Sequence, residues 1–95
     1  MATQPSTKLA SHLKQRLTLI PRFKVLLHND DRNSMQHVVG VLRRVFRISR
    51  ERAEQIMLEA HQKGIALCAV EPLETAELHR DQLVSASLTA TIEPE

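Results

Sequence analysis

Phe23-Lys24-Val25-Leu26-Leu27-His28-Asn29-Asp30-Asp31, with Met35 four residues further on, sets the architecture of this 95-residue chain. Phe23 to His28 is a short, nearly continuous apolar run, and the turn-forming triplet after it bounds a buried strand. Asn33 or Ser34 then offers a helix cap, because a short polar side chain can accept from an orphan amide. With Asn33 as the cap, Gln36 falls at the third helical position and completes a capping box. Met35, Val38, Val39, Leu42, Val45 and Phe46 follow at helical spacing. Polar groups at such a junction converge on the rim of whatever the strand and helices enclose.

Working outward, Gly40 costs this first helix about 1 kcal/mol relative to alanine, which predicts close packing on its side. Arg43, Arg44 and Arg47 fall in the last turns, where they complement the helix dipole. Ser49 caps a second helix with a stripe of Ala53, Ile56, Met57 and Ala60, ended by Gly64. Ile65 to Val70 reads as a second strand, with Cys68 a small core residue in it. Pro72 suits the first turn of a third helix, whose apolar positions are Leu73, Ala76, Leu83 and Val84. Leu88, Ala90 and Ile92 alternate with Ser87, Thr89 and Thr91, a half-buried strand. The order β-α-α-β-α-β predicts an α+β fold, a small sheet with helices on one face.

Residues 1–21 differ from the rest. They carry Pro5 and Pro21 with serine and threonine, and they read as a flexible tail. The alternative is a docked helix on the weak stripe Leu9, Leu13, Leu17 and Ile20. Residues 22–95 hold the fold, one domain with one modest core.

Composition narrows the function. The apolar share of 42% predicts a folded chain. With no Trp or Tyr and only Phe23 and Phe46, the core is expected to be aliphatic and methionine-rich. A net charge of +2 gives little support to a nucleic-acid partner. A single cysteine excludes an internal disulfide and fits a reducing compartment. No apolar stretch approaches a membrane span, and the first residues lack a signal-peptide core. The expectation is a soluble cytoplasmic protein.

The triplet, the methionines and His61 suggest the chemistry. A protonated α-amine carries three N–H donors and a charge, so it needs several acceptors, one of them anionic. Asn29 supplies an amide oxygen, Asp30 a carboxylate acting directly or through water, and neutral His61 a ring nitrogen. His61 lies four residues after Met57, so an acceptor and an adaptable apolar wall share one helix face. Met35 and Val38 share a face of the first helix, and Leu27, Ala60 and Leu88 can complete a pocket. A cationic amine beside a hydrophobic side chain describes the N-terminal end of a polypeptide. The plainer reading makes the triplet turn-and-cap chemistry and both methionines core.

Other chemistry fails on spacing. Asp31, Asn33 and Met35 imitate the start of a calcium loop, but the required glycine and late glutamate are missing. His28, His37, His61 and His79 lack zinc-motif spacing, and no cysteine pair exists. With only Gly40 and Gly64, there is no phosphate-cradling loop. The cluster Arg43, Arg44, Arg47, Arg50 and Arg52 lacks aromatic stacking partners. It leaves a small α/β protein- or RNA-interaction module as the alternative, with a metal-dependent enzyme on His61 and Asp30 more distant.

The stretches KVLLHNDD (24–31), Met35 with Val38 and Val39, QIMLEAHQKG (55–64), the following ALCAV and the final TATIE together resemble the ClpS family. These are adaptors that deliver N-degron substrates to the Clp protease, and the resemblance runs from about Phe23 to Glu93. It implies three antiparallel strands with three helices. It implies that Asn29, Asp30 and His61 hold the substrate α-amine, and that Leu27, Met35, Val38, Met57, Ala60 and Leu88 form the side-chain pocket, with Asp31 and Asn33 at its rim. Glu74 matches the contact with the N-terminal domain of the Hsp100 unfoldase, and His79 replaces a basic residue of that contact. The tail matches the segment that the unfoldase engages at handover. Asn33 stands where many relatives have Thr, and Ala60 where many have Val. The third helix and its following loop are shorter than in proteobacterial relatives. These departures resemble a cyanobacterial or plastid-type branch, which implies ClpC in place of ClpA as unfoldase. A monomer is expected, with no catalysis, cofactor, metal, nucleic acid or membrane partner.

Overall fold

The computed structural model describes residues 9–11 and 20–95. The expected tail falls mostly outside the described residues, as do Leu13 and Leu17 of its stripe. Strand β1 (Arg22–His28) leads to helix α1 (Met35–Phe46) and helix α2 (Arg50–Lys63). Strand β2 (Ile65–Pro72), helix α3 (Leu73–Ser85) and strand β3 (Thr89–Pro94) follow. The strands form an antiparallel sheet in the order β2-β1-β3.

The apolar run from Phe23 is therefore the central strand. Val25 and Leu27 point at the helices and are 0% and 3% exposed. They pack with Val41, Leu42, Ala53, Ile56, Ala60, Ala66, Leu83 and Ala90 into one core. Leu26 points to the opposite face, as strand alternation requires. The core is aliphatic, as composition suggested, but neither of the described methionines, Met35 and Met57, belongs to it. Met57 is half-buried and Met35 is 53% exposed. Both methionines are thus free to serve a site.

Ser34, not Asn33, caps α1, its hydroxyl accepting from the His37 N–H at 3.1 Å. The capping box on Asn33 does not form, because Ser34 takes the cap while the Asn33 side chain is turned to donate from Nδ2 to Asp30 and Ser87. Ser49 caps α2 in the expected way, accepting from Arg52 N–H at 3.1 Å. Arg47 lies beyond the last turn of α1, as its left-handed C-cap with φ 54°. The packing expected at Gly40 is missing, since a Cβ there would meet no atom within 4 Å. Pro72 ends β2 with extended backbone and precedes α3, outside its first turn. Leu73 and Val84, expected on the buried stripe of α3, are 41% and 53% exposed, and Ala76 and Leu83 bury its inner face.

Val25 pairs with Ala69 while Leu26 pairs with Leu67, which makes Cys68 the additional residue of a β-bulge. The bulge packs Cys68 against the core. Burial pushes its thiol up to about 12, so it stays protonated near neutral pH. Among the described residues, no helix is long and apolar enough to cross a membrane.

Candidate functional site: a pocket at the end of the central strand

Two backbone hydrogen bonds assemble the site. Gly64 takes the left-handed conformation (φ 86°) and its N–H closes on the Ala60 carbonyl at 2.8 Å, ending α2. The Gly64 carbonyl then accepts from the Asn29 N–H at 3.0 Å. The first residue of the triplet is thereby tied to the end of α2, whose last turn carries His61.

A third wall comes from the end of α3. The N–H of Leu88 donates to the Leu83 carbonyl at 3.0 Å, and that of Ser87 to the Val84 carbonyl at 2.9 Å. This pair of bonds is a Schellman motif, and Ser87 occupies its left-handed position with φ 73°. Leu88 packs inward beyond it and is 3% exposed.

These elements enclose a pocket of about 190 Å³. Its apolar lining is Leu27, Met35, Val38, Met57, Ala60 and Leu88, and its polar lining is Asn29, Asp30, Asp31, Asn33 and His61. Every residue proposed from the sequence for the amine site, the side-chain pocket and the rim lies on this one cavity. Leu27, Ala60 and Leu88, each 3% exposed, form a floor. Val38 and Met57 are half-buried, and Asn29, Asp31, Met35 and His61 are exposed at the mouth. The volume is below the roughly 300–1,000 Å³ of a site for a drug-sized ligand, and suits one side chain.

His28 also lines the pocket, which the sequence reading missed. Its Nε2 lies 2.7 Å from the Thr91 hydroxyl on β3. Its place beside the triplet, at the end of the strand, was the available signal.

Asp30 sits in a network. Its Oδ1 accepts from the Arg32 N–H (3.1 Å) and the Asn33 amide (2.9 Å). Its Oδ2 accepts from the Thr89 hydroxyl at a long 3.5 Å. Burial opposes ionisation, but the Asn33 and Arg32 hydrogen bonds and the Arg32 charge prevail, and the carboxyl is held below its ordinary 3.8. Turn hydrogen bonds thus fix, in its ionised form, a carboxylate that also lines the pocket.

The two residues matched to an unfoldase contact lie away from the pocket. Glu74 is exposed in the first turn of α3. The His79 side chain is only 19% exposed. Its Nδ1 donates to the Glu71 carboxylate at 2.8 Å and its ring meets Phe46 edge-on at 4.9 Å. Among the described residues, no group of three or more His, Cys, Asp or Glu is placed to hold a metal ion.

Known proteins resemble this chain throughout the region that carries the site. It is 49% identical over 76 residues to the ATP-dependent Clp protease adapter protein ClpS of Synechococcus sp. (strain CC9902), covering 79% of this chain and 73% of that protein. It is 43% identical over 77 residues to the ClpS of Gloeobacter violaceus, covering 80% of this chain and 83% of that protein. The structure of Agrobacterium tumefaciens ClpS2 bound to L-phenylalaninamide superposes with a TM-score of 0.71 at 33% identity, over 80% of this chain and 99% of that one. Residues 20–91 match the family model for the ATP-dependent Clp protease adaptor protein ClpS, and the chain belongs to the ClpS family, whose members are adaptors, not enzymes.

Proposed function

We propose that this chain binds the free α-amine and bulky hydrophobic first residue of N-degron polypeptides and hands them to a Clp unfoldase. The observation that carries this reading is the pocket's polarity, with acceptors at the mouth above an apolar floor sized for one side chain. Asn29, Asp30 and His61 receive the amine, and Asp31 and Asn33 complete the rim. Leu27, Met35, Val38, Met57, Ala60 and Leu88 receive the side chain. The bound L-phenylalaninamide of the Agrobacterium tumefaciens relative offers the same chemistry, an amine next to a large apolar side chain.

Binding sums two terms. Burying a Leu or Phe side chain contributes roughly 1.5–3 kcal/mol. N-acetylation removes the charge and leaves polar groups of the pocket unpaired, at about 1–3 kcal/mol each. A further residue before the first would displace amine and side chain together. Leu ranks first and Phe second, since an aliphatic and methionine lining offers no partner to a Tyr hydroxyl. β-branched residues, stiff at χ1, clash near Met35. The protein acts as a cytoplasmic monomer, with ClpC the favoured unfoldase. Glu74 bears the contact, and His79 has the smaller share because Glu71 and Phe46 hold its ring.

Fluorescence anisotropy with labelled peptides beginning Leu, Phe, Ile and acetyl-Leu tests this. Micromolar or tighter binding of Leu and Phe peptides, lost on acetylation, is the expected result. Equal affinity for Leu and acetyl-Leu would remove the amine site. Equal affinity for Leu and Ile would remove the β-branch argument.

A further inference from the structure

Asn33 lies at the rim of the pocket, yet its amide nitrogen points into the protein and not toward a ligand. Nδ2 carries two protons, and both are used. One goes to Asp30 Oδ1 at 2.9 Å and the other to the Ser87 carbonyl at 2.8 Å. The acceptors belong to different walls. Asp30 is an acid of the amine end, and Ser87 directly precedes Leu88, which is part of the apolar floor.

Both acceptors need a donor of this kind. Oδ1 of Asp30 already accepts from the Arg32 N–H, so the Asn33 proton completes its lone pairs and leaves Oδ2, which holds only the long 3.5 Å bond from Thr89, as the carboxylate oxygen with a lone pair for a ligand. Ser87 holds a left-handed conformation with no glycine to ease it, and its carbonyl direction sets where the chain enters β3. His37 holds the same turn from the next helical turn, its Nε2–H donating to the Ala86 carbonyl at 2.7 Å. Two donors from the start of α1 thus hold the end of α3, and Asn33 alone also reaches the acid.

We infer that Asn33 is a positioning residue, a two-proton staple that holds the Asp30 carboxylate in register with the Ser87–Leu88 turn and so sets the spacing between amine acceptor and side-chain floor. The inference rests on the N-degron reading above. No single-donor side chain can replace the amide. A threonine hydroxyl has one proton to give, and an aspartate would set a carboxylate against both a carboxylate and a carbonyl.

The test is a double-mutant cycle on peptide affinity, using the full chain with Asn33→Ala, Asp30→Asn and both. Circular dichroism checks that each variant is folded, and the retained His37 bond favours this for Asn33→Ala. Asn33→Ala is expected to weaken a free-amine Leu peptide roughly 3- to 10-fold and leave the weak acetyl-Leu peptide unchanged. In the Asp30→Asn background the same substitution should cost less than in the unaltered chain, because the carboxylate charge it orients is gone while the amide oxygen and the Ser87 bond remain. Asn33→Asp should lose at least as much as Asn33→Ala; if Asn33→Ala alone fails to fold, Asn33→Asp measured against the unaltered chain replaces it, and unchanged affinity there overturns the inference. Unchanged affinity in Asn33→Ala, or an equal loss in both backgrounds, overturns the inference while the unaltered chain still discriminates Leu from acetyl-Leu. Failure of the unaltered chain to discriminate overturns the N-degron reading and this inference with it.

Discussion

At the scale of single residues, the acid of the pocket keeps its charge across the neutral range. Asp30 is held below its ordinary 3.8 by its hydrogen bonds and the Arg32 charge, against the opposing effect of burial. Its folded value is the lower one, so its contribution to stability is complete above the unfolded value and disappears as pH falls through the folded one. Between roughly pH 8 and 5 its charge is constant. The peptide's own α-amine gains its proton over the upper part of that window, which favours binding, so a loss of affinity on acidification points to an imidazole. If His61 accepts from the amine as proposed, protonating it removes that acceptor and sets a positive charge beside the ammonium. Affinity for a Leu peptide should therefore fall on acidification, and anisotropy titrations of His61→Ala should show weaker binding with a flattened profile. Asp31 also lies at the mouth, and His28 lines the pocket with its ring Nε2 engaged by Thr91. A drop that persists unchanged in His61→Ala would count against His61 as the acceptor of the amine.

At the scale of elements, the two glycines make opposite predictions from the same open surroundings. Neither Gly40 nor Gly64 would bring an added Cβ within 4 Å of another atom. Gly40 lies in the exposed interior of α1, so Gly40→Ala should stabilise the fold by about 0.5–1 kcal/mol through the unfolded chain's lost freedom. Gly64 has φ 86°, and Gly64→Ala should cost about 1–2 kcal/mol. Urea unfolding of the two variants checks both signs. Destabilisation by Gly40→Ala would show that this face of α1 is not open. The caps show how far local rules reach. Ser49 and Gly64 were legible because cap preference is a property of a few adjacent residues. The choice between Asn33 and Ser34 was not. Asn33 is drawn off by Ser87, 54 positions away, and no local rule sees that partner.

At the scale of the molecule, the sheet separates two surfaces. The pocket sits where β1 ends, at His28, while Glu74 follows Pro72, which pairs with Arg22 at the strand's other end. A strand of seven residues spans about 20 Å, so one face can hold a substrate while another docks. If Glu74 bears the unfoldase contact as proposed, Glu74→Lys should abolish association with the N-terminal domain of a ClpC unfoldase while Leu-peptide affinity stays within about twofold. Calorimetry with that domain, beside anisotropy with the peptide, reads the two independently. Undiminished docking by Glu74→Lys would move the contact elsewhere.

From its own order of residues the chain determined the succession of strands and helices, the caps at Ser49 and Gly64, and the chemistry offered by Asn29, Asp30, Met57 and His61. Those properties depend on periodicity and on side chains a few positions apart. Only the tertiary structure decided that His28 joins the pocket, that Met35 and Met57 lie outside the core, that Gly40 packs against nothing and that Asn33 staples two walls. Each of these depends on which segments the β2-β1-β3 pairing brings together, and so on contacts between residues far apart in the chain.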